Sequence, residues 1–564
     1  MSTQTQVGSP DLGELVAGIQ PGDLEGLRIT FINMPLRENA LPNTPPQGPG
    51  LMASRMRLYG AETNIIDLNA YRIKDKIAAS DGKVNGRHLN HSETRDLLNA
   101  HFIKHGEPDI IGLSGMITTL KWQETVVQMC RALLPDIFIV SGGGLATELK
   151  DCLFRWMPEL DAVAHSEGDD IILNIAQYIK KIKGHSSEGR RRVLASSPFY
   201  VGEIEGRHRY LFGGDRPRHL DALPFAAWDL LETDVFGNKL LERYIETPVW
   251  GLEANNSSAA PFKMKRSLTT VSSRGCPYNC TFCYRGAQGE RLYGMRSAQN
   301  MAKEIEWLTS KYDLDFVGFP DDNFAVDRGR IAELPDALRE LNIRWGTHTR
   351  LDEADDRLLD MAKSGCIYIG FGAESASAQV LEKMDKGGFI LRRGLTKLNG
   401  FDLPVTMVDG IKNCREVGIH ANCTWIMGFP GETLHDLKTS VAFILWQKEL
   451  YTQGLQESSD EYTTALNSVN QKIFTATAYP GTVMFKEPSV INSLSKNFGI
   501  NFDSESNPIA DQAFKNYVLE LDDATKVLHN KKGEPLNFSS MPTDLFAEAR
   551  ELIDQDKLEK ILDL

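Results

Sequence analysis

The chain has few cysteines, no excess of positive charge and no long apolar run, and each shortage excludes a class of protein. Eight cysteines in 564 residues are too few for a disulfide-stabilised secreted scaffold. The 62 basic residues are outnumbered by 76 acidic ones, which argues against a broad nucleic-acid-binding surface. No apolar run approaches the ~18 residues of a membrane span, and residues 1–15 lack a signal-peptide pattern. These absences predict a cytoplasmic protein without nucleic-acid partner or membrane span.

The length and the 41% hydrophobic content predict several domains, each with its own core. Over residues 25–185, apolar runs alternate with helical patterns, which predicts a doubly wound, Rossmann-like α/β domain. Repeated strand-helix pairs over residues 266–445 predict parallel strands wrapped by helices, an open or complete (β/α) barrel. We assign residues 1–24 to an N-terminal tail, residues 186–265 to a connector, and residues 446–564 to a small, mostly helical region that caps the substrate.

Three of the eight cysteines lie within eight positions, in the stretch SSRGCPYNCTFCYRG at residues 272–286. Cys276, Cys280 and Cys283 do not complete a structural zinc site, because no fourth Cys or His lies within thirty residues on either side. Three thiolates on one short loop can bind three irons of a cubane iron–sulfur cluster and leave the fourth iron open to a ligand. The alternative is a chance grouping of three thiols in a turn.

This loop resembles the CxxxCxxC motif of radical S-adenosylmethionine enzymes, including the aromatic Phe282 before the last cysteine. Motifs at the predicted strand ends, FPDDNF, TRLD, GFGAES and GFPGET, are similar to those of the same family and come in its order, so that the resemblance spans about residues 267–445. It implies a 4Fe-4S cluster held by the three cysteines, with S-adenosylmethionine chelating the open iron. The residues that it implies for S-adenosylmethionine binding are Phe282, Asp321, Asp322, Arg350, Glu374, Ser375 and Gly428.

The residue types suit those roles. The carboxylates of Asp321 or Asp322 can accept hydrogen bonds from an ammonium group, and Glu374 with Ser375 can accept them from ribose hydroxyls. For each acidic residue taken alone, a helix N-cap or a solvated turn is the alternative.

Two glycine-rich stretches of the first domain, GLSGMIT (residues 112–118) and SGGGLAT (residues 141–147), fall at predicted strand ends, where such sheets bind ligands. They resemble the cobalamin-binding Rossmann-like domain of methionine synthase and its relatives. The cobalamin-binding residues implied by this resemblance are Ser114, Gly115, Thr118, Ser141, Gly142, Gly143, Gly144, Glu167 and Gly168. The alternative is a Rossmann-like domain whose glycines serve only turns.

The resemblance has one departure. Those relatives supply a lower axial histidine from a DxHxxG loop after the first strand, whereas the loop here reads NMPLRENALPNTPPQGPG and holds no histidine. We therefore expect cobalamin to be bound without a histidine ligand.

Together the resemblances imply a cobalamin-dependent radical S-adenosylmethionine enzyme, most simply a C-methyltransferase that acts on an unactivated carbon of a small molecule. They also imply an external electron donor such as flavodoxin or ferredoxin, and two cofactors that face one cavity. The alternative to a shared cavity is two independent domains joined by a flexible linker at residues 180–192. The open alternatives for function are cyclisation, ring rearrangement or oxidation, and a cobalamin or cluster sensor without turnover. Methylthiotransferases fit less well, because their N-terminal domain carries its own three-cysteine cluster and residues 1–200 here hold only Cys130 and Cys152.

Residues 384–410 form a longer link than the usual connection between strand and helix, and they carry Arg392, Arg393 and Lys397. Two interpretations are open: a loop that meets an anionic substrate, or a solvated basic loop.

Overall fold

A computed structural model describes residues 18–37, 41, 44–185, 193, 196–204, 206–214, 216–217, 219–246, 264–284 and 293–564. The chain divides into two compact units, of which the first holds the residues up to Tyr244 together with 518–524, and the second holds most of the remainder. Among the described helices, none combines the length and the apolar character that crossing a membrane requires.

A seven-stranded sheet forms the centre of the first unit. Its strands are β1 (Arg28–Asn33), β2 (Glu62–Asp67), β3 (Ile110–Ser114), β4 (Phe138–Gly142), β5 (Ala162–Ser166), β6 (Tyr200–Ile204) and β7 (Arg207–Gly214). The helices that accompany them are α1 (Gln47–Leu58), α2 (Lys76–Ser80), α3 (His91–His105), α4 (Leu120–Leu133), α5 (Gly144–Leu149), α6 (Cys152–Trp156), α7 (Gly168–Ile182) and α8 (Leu240–Ile245).

The strand order of this sheet is β2-β1-β3-β4-β5-β7-β6, and every pair is parallel except β6 with β7. Its central strands are apolar along their length, as Ile29, Phe31 and Ile32 of β1 illustrate, because helices cover both faces of such a sheet. The chain changes direction across the sheet between β1 and β3. Ligands of open α/β sheets bind beyond the carboxyl ends of the strands at such a point.

The strands β6 and β7 lie in the segment that we predicted as a connector, yet they extend the first sheet. The register of β7 with β5 runs from Tyr210 beside Ala162 to Gly214 beside Ser166. Tyr210 and Phe212 are buried, so the hairpin covers an edge of β5 that would otherwise present unpaired backbone groups. The sheet therefore continues past residue 185.

The described residues of the second unit contain the strands β8 (Ser267–Thr269), β9 (Ser273–Arg274), β10 (Gly294–Met295), β11 (Phe316–Phe319), β12 (Arg344–Arg350), β13 (Cys366–Glu374), β14 (Leu395–Leu398), β15 (Phe401–Pro404), β16 (His420–Met427) and β17 (Ile473–Thr475). The following helices are α9 (Ala298–Tyr312), α10 (Arg328–Leu338), α11 (Arg357–Lys363), α12 (Ala378–Lys383), α13 (Gly387–Ile390), α14 (Val405–Val417), α15 (Leu434–Thr452), α16 (Asp460–Ser468), α17 (Pro488–Phe498), α18 (Gln512–Glu520) and α19 (Thr543–Asp554).

Six of these strands form one parallel sheet in the order β8-β11-β12-β13-β16-β17, which is also their order along the chain. Parallel neighbours joined by helices are the arrangement of a (β/α) barrel. Within the described residues β8 and β17 are the two edges of this sheet, so the barrel is partial. The predicted fold class, a Rossmann-like α/β domain followed by a partial barrel and a mostly helical C-terminal region, is confirmed.

The two faces of the six-stranded sheet carry different sets of side chains. Trp345 and Trp425 are fully buried on the face that carries the helices. Residues of the opposite face, which alternate with these along the strands, include His348 on β12 and its register partner Gly370 on β13. A Cβ atom at Gly370 would come within 2.4 Å of His348 Cδ2. Glycine therefore leaves the space in which the imidazole lies.

Candidate functional site

The three motif cysteines lie on the loop that follows β9. Cys280 is buried, Cys276 is half-buried and Cys283 is exposed. Burial raises the thiol pKa of Cys276, and it raises that of Cys283 to about 12; the neighbouring Cys280 raises both further. A thiol that solvent reaches but protein atoms largely surround lies in a concavity. Cys276 and Cys283 thus both lie near Cys280, and we call this group of three thiols the thiol recess.

This thiol group suits a cluster better than a single ion. Among the described residues, no three His, Cys, Asp or Glu side chains are spaced closely enough to hold one metal ion. A four-iron cluster places its cysteine ligands farther apart than a single ion does, because each sulfur binds a different iron. The donor set at this loop, three thiols without a single-ion site among the described residues, is the set that a four-iron cluster requires.

The neighbouring carboxylates Asp321 and Asp322 have different surroundings. Asp321 is buried and accepts hydrogen bonds from the Ser272 N–H at 2.9 Å and the Ser273 hydroxyl at 2.7 Å. It thereby ties the FPDDNF turn to the segment that leads into the cysteine loop. Asp322 is exposed and accepts from the Gly275 N–H at 3.1 Å, directly before Cys276. Asp322 is therefore the more exposed of the two carboxylates, and contact of either one with a ligand ammonium group stays a prediction.

Glu374 ends β13 at φ +63°, a conformation that costs energy for a residue with a side chain. Its carboxylate Oε1 lies 3.2 Å from Lys386 Nζ, and both side chains are largely buried. Glycine at position 372, two residues earlier, leaves room for the Glu374 carboxylate, because a Cβ atom there would come within 2.4 Å of Glu374 Oε1. Because Gly372 pairs in register with Arg350 at the end of β12, Glu374 and Arg350 lie at the same end of the sheet.

Ser375 turns away from this group. Its side chain is fully buried, and its hydroxyl lies 3.3 Å from the Ser440 hydroxyl and accepts from the Ser377 N–H at 3.1 Å. These contacts give Ser375 a bracing role between β13 and α15, and its predicted contact with ribose stays a prediction.

Phe282 of the cysteine motif and the GFPGET turn after β16 lie side by side. The Phe282 ring packs edge-on against Phe429, with 6.5 Å between the ring centroids. Gly428 has φ +86°, and a Cβ atom there would come within 2.9 Å of Phe546. The Gly428 N–H also donates to the buried Glu432 carboxylate. Glycine is therefore required at this turn, which the fold holds against the cysteine loop.

Three residues near this site were not singled out from the sequence. Tyr278, between the first two cysteines, stacks under the Arg350 guanidinium with 4.0 Å from Cζ to the ring centroid. Asp352 accepts from Arg350 Nε at 2.9 Å, and Lys386 pairs with Glu374 as described. Asp352 belongs to the TRLD motif itself, so an acid two residues after the arginine was an available signal. Lys386 lies in the 384–410 link. Of the cations in that link, only Arg392, Arg393 and Lys397 were considered as contacts of a substrate.

The 384–410 link contains α13 and the β14–β15 hairpin. Arg393 pairs with Asp409 at 2.6 Å. Arg392 and Arg393 border a cavity of about 360 Å³ that also reaches Tyr278. Contact between these arginines and an anionic substrate stays a prediction.

The predicted residues of the first unit gather at the switch point of its sheet. Asn33, Ser114 and Gly142 end the adjacent strands β1, β3 and β4 and are partners in register. Gly143 follows with φ +85°, and a Cβ atom there would come within 2.6 Å of the Gly115 carbonyl oxygen. The two glycine loops therefore pack backbone against backbone, which glycine alone permits.

The hydroxyl groups of this region divide into two sets. Ser141 is fully buried and donates to Gln123 Oε1 at 2.7 Å, while Gln123 Nε2 donates to Thr119 Oγ1 at 3.4 Å. This chain braces the two loops from within the sheet. Ser114 is half-buried at the strand end, and Thr118 lies buried in the short turn that follows it. Ser114 is thus the most exposed of these hydroxyl residues, and its contact with a cofactor stays a prediction.

The third strand end, after β5, is fixed by side-chain contacts. Glu167 precedes the first turn of α7 and forms an ion pair with Arg216 at 3.0 Å. A Cβ atom at Gly168 would come within 2.9 Å of Met52 Sδ, so α7 packs closely on α1. Gly144 begins α5. At Gly142, by contrast, a Cβ atom would meet nothing nearer than the Leu113 carbonyl oxygen at 3.8 Å. We call these glycine-rich ends of β3, β4 and β5 the glycine cradle, and their contact with cobalamin stays a prediction.

Comparisons with known proteins agree with this geometry. The profile of the Radical SAM superfamily matches residues 270–444. An uncharacterized methyltransferase of Pyrococcus horikoshii is 25% identical over 400 residues, which are 70% of this chain and 72% of the relative. An anaerobic magnesium-protoporphyrin IX monomethyl ester cyclase of Rubrivivax gelatinosus is 26% identical over 318 residues, 54% of this chain and 52% of the relative. The cobalamin-dependent radical SAM methyltransferase TokK of Streptomyces tokunonensis is 22% identical over 362 residues, 60% of this chain and 45% of the relative. The chain thus spans about half the length of the latter two.

Two solved structures share the fold. The radical S-adenosylmethionine methyltransferase TsrM of Kitasatospora setae, with cobalamin and a [4Fe-4S] cluster bound, superposes with a TM-score of 0.57 at 14% identity over 94% of this chain and 90% of that one. The cobalamin-dependent S-adenosylmethionine radical enzyme OxsB, with aqua-cobalamin and S-adenosylmethionine bound, gives a TM-score of 0.54 at 18% identity over 79% of this chain and 55% of that one. The profile match identifies a Radical SAM domain at residues 270–444 of this chain, and the likeness to these two solved structures shows that the chain shares their fold.

Proposed function

We propose that this protein is a cobalamin-dependent radical S-adenosylmethionine methyltransferase that methylates an unactivated carbon of a small molecule. The observation that carries the proposal is the recess of three thiols with Asp322 and Glu374 beside it, at the carboxyl ends of parallel strands. The glycine cradle of the first unit and the relatives named methyltransferases support the same conclusion.

The residues of the second unit divide the binding of cluster and S-adenosylmethionine among them. Cys276, Cys280 and Cys283 would hold the 4Fe-4S cluster. Asp322 would accept a hydrogen bond from the amino group of S-adenosylmethionine, and Glu374 would accept from its ribose hydroxyls. When bound, the cluster and S-adenosylmethionine supply a carbon radical for hydrogen abstraction, and cobalamin supplies the methyl group.

In the first unit the glycine loops would let the backbone pass close to the cobalamin tail, with Ser114 as a hydrogen-bonding group at the strand end. Ser141, Gln123 and Thr119 would fix the loops without contacting the cofactor. The proposal includes a cytoplasmic location and a low-potential electron donor such as flavodoxin or ferredoxin, because reductive cleavage of S-adenosylmethionine consumes an electron.

The test is an anaerobic incubation of reconstituted protein with S-adenosylmethionine, cobalamin, a reductant and candidate small molecules, followed by mass spectrometry. We expect 5′-deoxyadenosine and a product heavier than its substrate by one methylene unit. A Cys280→Ala variant is the control and should form neither. A wild-type protein that forms no 5′-deoxyadenosine with any reductant would contradict the proposal and favour a sensor.

Cyclisation is the second candidate, because one relative is named as an anaerobic cyclase. The same experiment separates it from methyl transfer: 5′-deoxyadenosine would form, and the product would show a loss of hydrogen without any gain of a methylene unit.

A further inference from the structure

Arg350 is held on four sides next to a cluster-binding cysteine. Its Nη1 donates to Cys280 Sγ at 3.6 Å, its Nε donates to Asp352 at 2.9 Å, and its Nη2 donates to the Lys386 carbonyl oxygen at 3.3 Å. The ring of Tyr278 lies under its guanidinium at 4.0 Å. The side chains of Arg350 and Asp352 are only 7% and 4% exposed.

These contacts fix the direction of the guanidinium. An arginine that only neutralised nearby charge would need no stacking partner and no backbone acceptor on its far side. Here the planar group is clamped so that one N–H points at the sulfur of Cys280, and burial makes its charge strongly felt.

A hydrogen bond to a cluster sulfur, and a buried positive charge near it, stabilise the reduced cluster more than the oxidised one, because the reduced form carries one more negative charge. Asp352 acts in the opposite sense, since its buried carboxylate offsets part of the arginine charge. Arg350 and Asp352 therefore have opposite effects on the reduction potential of the cluster.

We propose that Arg350 is a positioning residue that sets the reduction potential of the 4Fe-4S cluster through Cys280, and that Asp352 limits its effect. This inference rests on the cluster of the proposed function. It differs from the expectation that Arg350 contacts S-adenosylmethionine, because the contact that it assigns is to the protein's own cysteine.

The test is a redox titration of the reconstituted cluster, followed by electron paramagnetic resonance, in the wild type and four variants. In Arg350→Gln we expect a more negative midpoint, so that the ratio of reduced to oxidised cluster at a fixed potential falls at least tenfold, or about 59 mV for a one-electron couple. Arg350→Lys should lie between this variant and the wild type. In Asp352→Asn, which leaves the arginine without its counter-charge, the midpoint should become more positive.

Arg357→Gln is the matched control, because Arg357 also pairs with a carboxylate, Asp355, at 2.8 Å and binds the Ala325 carbonyl oxygen at 2.6 Å. Its midpoint should equal that of the wild type. Binding of S-adenosylmethionine to the oxidised cluster is measured in parallel for every variant.

An unchanged midpoint in Arg350→Gln overturns the proposal, and weaker binding of S-adenosylmethionine in the same variant would make Arg350 a ligand of that molecule. Shifts of equal sign in Arg350→Gln and Asp352→Asn also overturn it, since they would reflect general disturbance of the loop. If the Arg350→Gln variant loses its cluster, the midpoint potential of Asp352→Asn is the deciding measurement. Any result other than a more positive midpoint in that variant refutes the proposal. A wild type that assembles no cluster would refute the proposed function instead.

Discussion

Lys386 and Glu374 form a buried ion pair at the end of β13, with 3.2 Å between Nζ and Oε1 and only 4% and 12% of the two side chains exposed. The pair ties the link after α12 to the strand end that carries the GFGAES motif. Its lysine also presents its backbone carbonyl to Arg350, so the link contributes to the site through both side chain and main chain.

Replacing Lys386 by Met should destabilise the protein by about 3–5 kcal/mol, because it leaves a carboxylate buried without its partner. The double variant Lys386→Met with Glu374→Gln should recover most of that loss, since it removes the stranded charge. Thermal or urea unfolding of the two variants and of Glu374→Gln alone measures the coupling. A loss of stability in the double variant equal to the sum of the losses in the two single variants would contradict the pairing of Lys386 with Glu374.

Replacing Cys276, Cys280 or Cys283 by Ala should abolish the cluster absorbance and the reductive cleavage of S-adenosylmethionine, because each sulfur supplies one iron ligand. Cys152→Ala is the control, since this half-buried cysteine lies on α6 of the other unit. Iron and sulfide analysis accompanies the spectra. Four irons per chain in the triple Ala variant would refute the assignment.

Gly143 and Gly142 provide a matched pair for the cobalamin cradle. Gly143→Ala should lower the thermal midpoint of the cofactor-free protein and weaken cobalamin retention, because its φ is positive and the new Cβ would meet the Gly115 carbonyl at 2.6 Å. Gly142→Ala should leave the midpoint unchanged, since its Cβ meets no protein atom nearer than 3.8 Å. If the tail of cobalamin passes close to Gly142, the Gly142→Ala substitution should nevertheless weaken cobalamin binding. Equal cobalamin affinity in Gly142→Ala and the wild type would exclude that path.

Bound cobalamin should be base-off without a histidine ligand, because the loop after β1 carries no histidine. Electron paramagnetic resonance of the cob(II)alamin form measures this directly. Nitrogen superhyperfine splitting of the axial lines would contradict the prediction.

Glu148, half-buried on α5, should make stability depend on pH. Burial raises its carboxyl pKa from 4.5 to about 8, and Lys150 offsets this only in part. The folded state therefore binds a proton that the unfolded state releases between about pH 4.5 and 8, so stability falls as pH rises through this window, by at most about 1.4 kcal/mol per unit. Glu148→Gln removes the titrating group, and its stability relative to the wild type should increase from pH 5 to pH 8 and then level off. A constant difference across the window would contradict the raised pKa.

The sequence predicted the elements whose pattern is local. The cysteine spacing, the glycine loops after β3 and β4, and the repetition of strand and helix were all readable, because each depends on residues close together in the chain. Side-chain direction was not readable. Asp321 and Asp322 are adjacent and alike, yet Asp321 is buried and tied to Ser272 and Ser273, whereas Asp322 is exposed and accepts from the Gly275 N–H. Ser375 and Ser141 were predicted to contact cofactors, yet the hydroxyls of both hydrogen-bond within the protein, to partners on α15 and α4.

The hairpin of β6 and β7 was not predicted from the sequence, because it too depends on contacts with residues distant in the chain. Its alternation of polar and apolar residues is short, and only pairing with β5 buries Tyr210 and Phe212. Contacts between residues distant in the chain also produce the Arg350–Cys280 and Lys386–Glu374 relationships, which no local pattern specifies.

Hydrogen bonds from three other segments of the polypeptide anchor the cysteine loop. Asp321 holds the segment before it, the Thr281 N–H donates to the Met384 carbonyl at 3.0 Å, and the Thr281 carbonyl accepts from the Met484 N–H at 2.8 Å. Most of the entropy of ordering the loop is therefore lost when the chain folds, and little remains to be lost when iron and sulfide arrive. A cluster destroyed by oxygen could then be rebuilt on the same folded chain, and circular dichroism should be unchanged when a chelator strips the iron.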